Sequence, residues 1–290
     1  MTVPSPISSV AHEPPAHLRF RRSMNLTTFA QQAWRSRLLA FTLSERELRV
    51  RYKQALLGMA WAFAAPLGYV LVFTVFFDRT ANIETFGSSY PVFAYAAIIP
   101  WGFFSQSLGR GATAIVDNLV LLNKVACPRE TFVLSGIATA FVDMLVSAVA
   151  FPIVVLAFGE HFYATTFLLA PVLILQVAVA VAISLFLSAA LMYVRDVRHL
   201  LPLLTQLLMF ATPVVWGQAA IRQRVSGPIF DLYALLNPMA TVCEAYRSTL
   251  VYGNAPDWRT LGLSSASTAI FLTFAYWFFK RLEPGFADVA

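Results

Sequence analysis

The chain has 290 residues, 58% of them hydrophobic and only 12% charged. A water-soluble domain carries about 25% charged residues, so half that density over this length excludes an ordinary soluble enzyme and leaves a membrane protein with several spans. Lys and Arg exceed Asp and Glu by 21 to 15, a formal +6, and their placement matters more than their sum.

Residues 1–23 hold Pro4, Pro6, Pro14 and Pro15 with little apolar matter, and read as a disordered tail. No apolar signal-peptide core is visible, so this tail is expected to stay in the cytoplasm. Residues 24–57 read as an interfacial helix followed by a basic entry segment. Leu26, Phe29, Ala30, Ala33, Leu38 and Phe41 recur at roughly helical spacing, with Gln31, Gln32, Arg35 and Arg37 mostly elsewhere. Such a helix lies in a membrane interface or packs on a soluble partner.

Residues 58–290 form the transmembrane part. Crossing the hydrocarbon takes about 20 apolar residues at about 1.5 Å each. Six stretches qualify: 58–77, 90–108, 132–158 (interrupted by Asp143), 164–193, 200–218 and 261–279. Between the last two, 229–236 and 240–250 are apolar but too short to span, and Asn237-Pro238 separates them. They are expected as short re-entrant outer helices, lying against protein or a wet cavity. The expected fold is all-α, integral to the membrane, with six spans.

Orientation follows from the basic residues between spans. Nine precede the first span, and the alternate segments on that side bring the total to 16, against 5 on the other. Both termini are therefore expected in the cytoplasm of a multi-pass protein of the bacterial cytoplasmic (inner) membrane.

Several chemistries find no support. There is no G-x-x-x-x-G-K-[ST] loop to cradle ATP phosphates. His12, His17, His161 and His199 are scattered, and Cys127 and Cys243 fall on opposite sides of the expected membrane, so neither a metal cluster nor a disulfide is expected. No nucleic-acid partner is expected either. Asp143 is the one ionisable residue inside an expected span. A proton-driven carrier usually shows several, so Asp143 reads as a hydrogen-bond acceptor inside the bundle.

At the entrance to the first span the sequence runs Arg51-Tyr52-Lys53-Gln54-Ala55-Leu56-Leu57-Gly58-Met59-Ala60-Trp61, with Pro66 beyond. Further along come Asn123-Lys124 with Pro128-Arg129, then Tyr193-Val194-Arg195-Asp196-Val197, then Pro213-Val214. Leu236-Asn237-Pro238, Glu244-Ala245-Tyr246-Arg247 and a tail from Glu283 to Asp288 complete the set. This ordered set, over roughly residues 40–290, resembles the membrane subunit of ABC-2 type polysaccharide exporters, which move O-antigen, capsule or teichoic acid. Ala55 stands where that pattern usually has serine, and Met59 where proline is common.

The resemblance implies a permease without its own ATPase. It would pair with a second copy of itself and with two copies of a nucleotide-binding subunit, which binds ATP and Mg. The implied cargo is a glycan on a lipid pyrophosphate. Rivals are an ABC-2 exporter of a drug or small lipid, and a polytopic enzyme of glycan assembly; the latter needs clustered acidic or His residues that the loops do not supply.

On this reading Arg49, Arg51, Lys53, Leu57 and Gly58 border the substrate entrance, arginine suiting phosphate through its planar fork. The plainer account of the basic run is positive-inside topology and attraction to anionic lipid. Tyr95, Trp101 and Phe104 are candidate channel-lining rings, against belt anchoring and helix packing. Asp117, Asn123, Lys124, Arg129, Arg195 and Asp196 are assigned to ATPase coupling, against a mere connector. Asn237, Glu244 and Arg247 are assigned to an outer gate. Gly136/Ala140 and Ser184/Ser188 are small-residue pairs suited to close helix approach.

Reporter fusions test the charge count. Fusions at both termini should read cytoplasmic and one within 217–260 outside; an external N-terminus would overturn the six-span topology.

Overall fold

In hydrocarbon every backbone N–H and C=O must be satisfied within the protein, and a chain this apolar does so with helices. The computed structural model describes residues 26–53, 61–78, 85, 87–122, 127–225 and 227–286, and among these there is no strand. The expected N-terminal tail and residues 54–60, with Leu57 and Gly58, lie outside the described residues, as do Asn123 and Lys124.

The helices are α1 (Leu26–Arg35), α2 (Arg37–Lys53), α3 (Trp61–Phe73, extended by a π turn over Thr74–Asp78), α4 (Tyr90–Asp117), α5 (Leu119–Leu122) and α6 (Glu130–Ala157). A 3-10 turn (Ala164–Leu168) leads into α7 (Leu169–Tyr193). Then follow α8 (Val197–Ala211), α9 (Ala219–Arg224), α10 (Pro228–Leu236), α11 (Pro238–Leu250) and α12 (Trp258–Leu282), with a 3-10 turn over Glu283–Gly285. Among the described residues, three helical stretches are long and apolar enough to cross a membrane: Glu130–Ala157, Ala164–Tyr193 and Trp258–Gly285.

The centre is α4, packed against α6 on one side and α7 on the other, with α12 against α7. Small residues allow this. A Cβ added to Gly136 of α6 would stand 3.0–3.1 Å from the Arg110 backbone of α4. One added to Gly111 of α4 would meet Ser184 of α7 at 2.6 Å, and the Ser184 hydroxyl donates to the Ser107 carbonyl. Two of the small positions marked in the sequence, Gly136 and Ser184, are thus helix-crossing points.

Two boundaries differ from expectation. The second apolar stretch was expected to end near residue 108, but α4 runs on to Asp117, so Arg110 and Asp117 continue the same helix rather than belonging to a separate segment after it. The fifth was expected to reach residue 218, but α8 stops at Ala211. Pro213 carries no N–H and disfavours helical geometry at the residue before it. Residues 212–217 therefore turn, and their carbonyls are bonded from elsewhere.

The amphipathic stripe near the N-terminus divides. Leu26, Phe29 and Leu43 pack on the bundle, whereas Trp34, Leu38 and Phe41 are 69%, 73% and 63% exposed. Ser36 separates α1 from α2, its hydroxyl donating to the Gln32 carbonyl one turn back. Near α1, α6 and α12 are joined by the buried Glu130–Lys280 pair at 2.9 Å, which Glu283 extends at 3.1 Å.

Asp257 caps α12, accepting from the Arg259 and Thr260 backbone N–H groups and from Arg222 at 2.5 Å. Burial alone would raise its carboxyl, but Arg222 and the two backbone donors hold it below the ordinary value of 3.8. A depressed carboxyl contributes stability above its unfolded pKa, and that contribution is lost as pH falls through the folded value. Asp257→Asn keeps the cap and removes the charge, so it should lower stability by no more than about 1 kcal/mol at neutral pH. Thermal unfolding in detergent should show the difference vanishing once the wild-type carboxyl is protonated.

Candidate functional site at the α2 end of the bundle

Asp143 lies in the body of α6 and is 4% exposed. An isolated carboxylate there would be costly. It accepts from the Arg51 guanidinium of α2 at 3.0 Å and from Arg110 of α4 at 2.5 Å. Glu47 completes the set, 3.3 Å from Arg51, 3.9 Å from Arg110 and bonded by the Thr139 hydroxyl. Burial pushes the Glu47 carboxyl up, and Arg51 and Thr139 oppose that push. Nη1 of Arg110 is buried with no hydrogen-bond partner among the described residues.

This cluster divides two cavities. One, of about 650 Å³, is charged and lined by Arg46, Glu47, Arg51, Arg110, Asp117 and Asn118 among others. The second, of about 470 Å³, is mostly apolar, with Pro66, Tyr69, Ile98, Trp101, Phe103 and Asp143 in its wall. Arg51 borders both. An anionic group in the first cavity and an apolar or sugar-like body in the second would meet at this guanidinium.

The residues marked from sequence fall out unevenly. Of the entrance set, Arg51 reaches the cavities, while Arg49 is 77% exposed and paired with Glu45 one turn back, and Lys53 is exposed. Tyr95 is no wall of an open passage. It is fully buried, its ring stacked on Phe151 at 6.1 Å and its hydroxyl donating to the Ser147 carbonyl. Phe104 is 3% exposed against Trp101, and only Trp101 of the three rings borders the apolar cavity. Packing between α4 and α6 accounts for Tyr95.

Among the coupling residues, Asp117 accepts from Arg198 at 2.5 Å, which joins the end of α4 to the start of α8. Arg195 and Asp196 are exposed beside them. Arg129 donates to the Glu283 carbonyl and lies over the Phe286 ring at 5.6 Å, so it binds the C-terminal turn.

At the other end of the bundle Asn237, Glu244 and Arg247, the residues expected at an outer gate, lie together. Arg247 is fully buried and donates to the carbonyls of Phe93, Pro213, Val214 and Trp216, with its guanidinium 3.8 Å from the Phe93 ring centre. Glu244 balances it at 3.7 Å, and Asn237 caps α11 while donating to Thr212. Together they hold the 212–217 turn.

Sequence reasoning missed Arg110 and Glu47, because both fall outside the expected spans. Asp143 was the available signal: a carboxylate inside a span needs a cation from a neighbouring helix.

The chain belongs to the ABC-2 type transporter family. That family's profile matches residues 39–251. The chain is 30% identical to the O-antigen export system permease protein RfbA of Myxococcus xanthus over 89% of its own length and 97% of that protein's. It is 21% identical to the RfbA permease of Klebsiella pneumoniae, covering 87% and 94%, and 25% identical to the polysialic acid transport protein KpsM of Escherichia coli, covering 78% and 86%. The family resemblance seen at Arg51-Tyr52-Lys53 and downstream is borne out.

Removing Asp143 leaves two guanidiniums without their buried counter-charge. Asp143→Ala should destabilise by about 3–5 kcal/mol, and adding Arg110→Gln should restore part of that loss. Strictly additive losses in unfolding measurements would show that the two residues do not share one network.

Proposed function

We propose that this chain is the permease of an ATP-driven exporter that moves a polysaccharide on a lipid pyrophosphate out of the bacterial cytoplasm. In this reading six spans cross the inner membrane, with α2 and both termini on the cytoplasmic side and α10 and α11 dipping in from outside. The active unit is two copies of the chain with two copies of a separate nucleotide-binding subunit, which binds ATP and Mg. The exposed surface around Asp117, Arg195 and Asp196 is where that subunit would push.

The observation that carries the reading is Arg51 at the meeting of a charged and an apolar cavity. A lipid-linked glycan combines a diphosphate with apolar and sugar parts, and the two cavities match that combination. The Arg51–Asp143 bond would then be exchanged for a bond to phosphate, and Arg110 is a further cation in the wall of the charged cavity. An exporter of a smaller anionic amphiphile would use the same pair of cavities, and the transported species decides between them.

The test compares two arginines one half-turn apart on α2. Arg51→Gln removes charge-assisted hydrogen bonds of about 1.5–3 kcal/mol, so export should fall roughly tenfold to a hundredfold, with lipid-linked glycan accumulating inside at matched protein levels. Arg49→Gln should export normally. Equal, small effects of both would reduce the basic run to a topology signal. Separately, the purified chain should hydrolyse ATP only when its partner subunit is added.

A further inference from the structure

At the end of the bundle opposite α2 lies a cavity of about 660 Å³ that takes no part in the site above. Its wall combines carboxylates (Glu160, Glu244, Asp257), amides (Gln218, Asn254) and the Tyr163 ring. Each carboxylate is fixed by a protein donor. Glu160 accepts from the Ser89 backbone N–H at 2.7 Å, Glu244 from that of Gln218 at 3.3 Å, and Asp257 from Arg222. A carboxylate offers about four acceptor sites, so Glu160 and Glu244, with one hydrogen bond each, keep more capacity toward the cavity than Asp257, which also caps α12 with two.

Two observations point to a ligand. Gln218 is 2% exposed in the cavity wall, and its Nε2 donor has no hydrogen-bond partner among the described residues. A buried amide without an acceptor is unfavourable unless something supplies one. Second, Tyr163 is held rigidly. Gly253, at φ +66°, packs so closely on its ring that a Cβ there would stand 2.4–2.9 Å from three ring atoms. Tyr163 is nevertheless 36% exposed and borders the cavity.

The charges select against an ion. Arg222 and Arg247 lie beside Asp257 and Glu244 and largely balance the carboxylates. No group of three His, Cys, Asp or Glu arranged for a metal occurs among the described residues. What fits is a neutral ligand rich in hydroxyls, which can donate to carboxylates, accept from an amide and lay its C–H face on an aromatic ring.

The geometry points to a binding site for one or two sugar residues of a glycan chain, on the face from which the chain would leave. The choice of a glycan rests on the proposed export function; the site itself does not. Binding there would hold the emerging chain and disfavour its sliding back between strokes.

The test uses the full-length protein in nanodiscs and the methyl glycosides of glucose, galactose, mannose and N-acetylglucosamine, followed by saturation-transfer NMR. At least one glycoside should show saturable transfer to its ring protons. Tyr163→Ala should abolish it and Tyr163→Phe keep it, and Gln218→Leu should weaken it by roughly fivefold to tenfold, the range of one neutral hydrogen bond. No saturable transfer from any of the four would overturn the inference, as would undiminished transfer in both Tyr163→Ala and Gln218→Leu; the second variant decides if the first fails to fold. Because the readout involves no transport, absence of any glycan export by the wild-type chain with its partner subunit would refute the exporter reading without touching this one.

Discussion

A carboxylate placed within an apolar helix has to be answered by cations from elsewhere, and much of the arrangement at the α2 end follows from that requirement at Asp143. Its two partners come from different helices, Arg51 from α2 and Arg110 from α4. Helix α2 is thereby tied to the bundle through α6, with Arg51 turned toward the interior while Arg49 and Lys53 stay exposed. The same ion cluster forms the partition between a charged and an apolar cavity. Stability and the candidate transport site therefore draw on the same side chains, and an anion that engages Arg51 must compete with Asp143.

The opposite end answers a different electrostatic demand. Where α8 stops at Ala211, the turn over residues 212–217 leaves carbonyls without helical partners, a serious deficit away from water. Arg247 supplies several donors from one planar group to the Pro213, Val214 and Trp216 carbonyls, and it also reaches Phe93 on α4. One buried arginine thus fastens the turn, α4 and α11 together. Its own charge is tempered by Glu244 and the Phe93 ring. A broken helix survives here because its backbone is bonded within protein.

Between these ends the fold relies on close contact. Gly136 and Gly111 bring α6 and α7 against α4 without side chains in the way, and Gln176 bridges α4 to α11 by accepting from the Tyr246 hydroxyl at 2.7 Å while donating to the Pro100 carbonyl. Such contacts link α4 to both ends of the molecule. The Asp117–Arg198 pair joins the end of α4 to the start of α8.

Helix content, the approximate apolar stretches and the break at Asn237-Pro238 were legible in the sequence, because hydrophobic length and proline act locally. The family was legible too, in short motifs spaced along the chain. The partners of Asp143, the burial of Tyr95 and the clamp made by Arg247 were not. A periodicity shows that a helix has faces but not which neighbour each face meets, and aromatic residues look alike in sequence whether they line a passage or fill a core. Composition by itself determined that this chain would fold as helices in a membrane, since hydrocarbon leaves the backbone few other ways to satisfy its hydrogen bonds. Only the tertiary structure decided which charges pair, because ion pairs form between residues about 30 to 90 positions apart that helix packing alone brings within 3 Å.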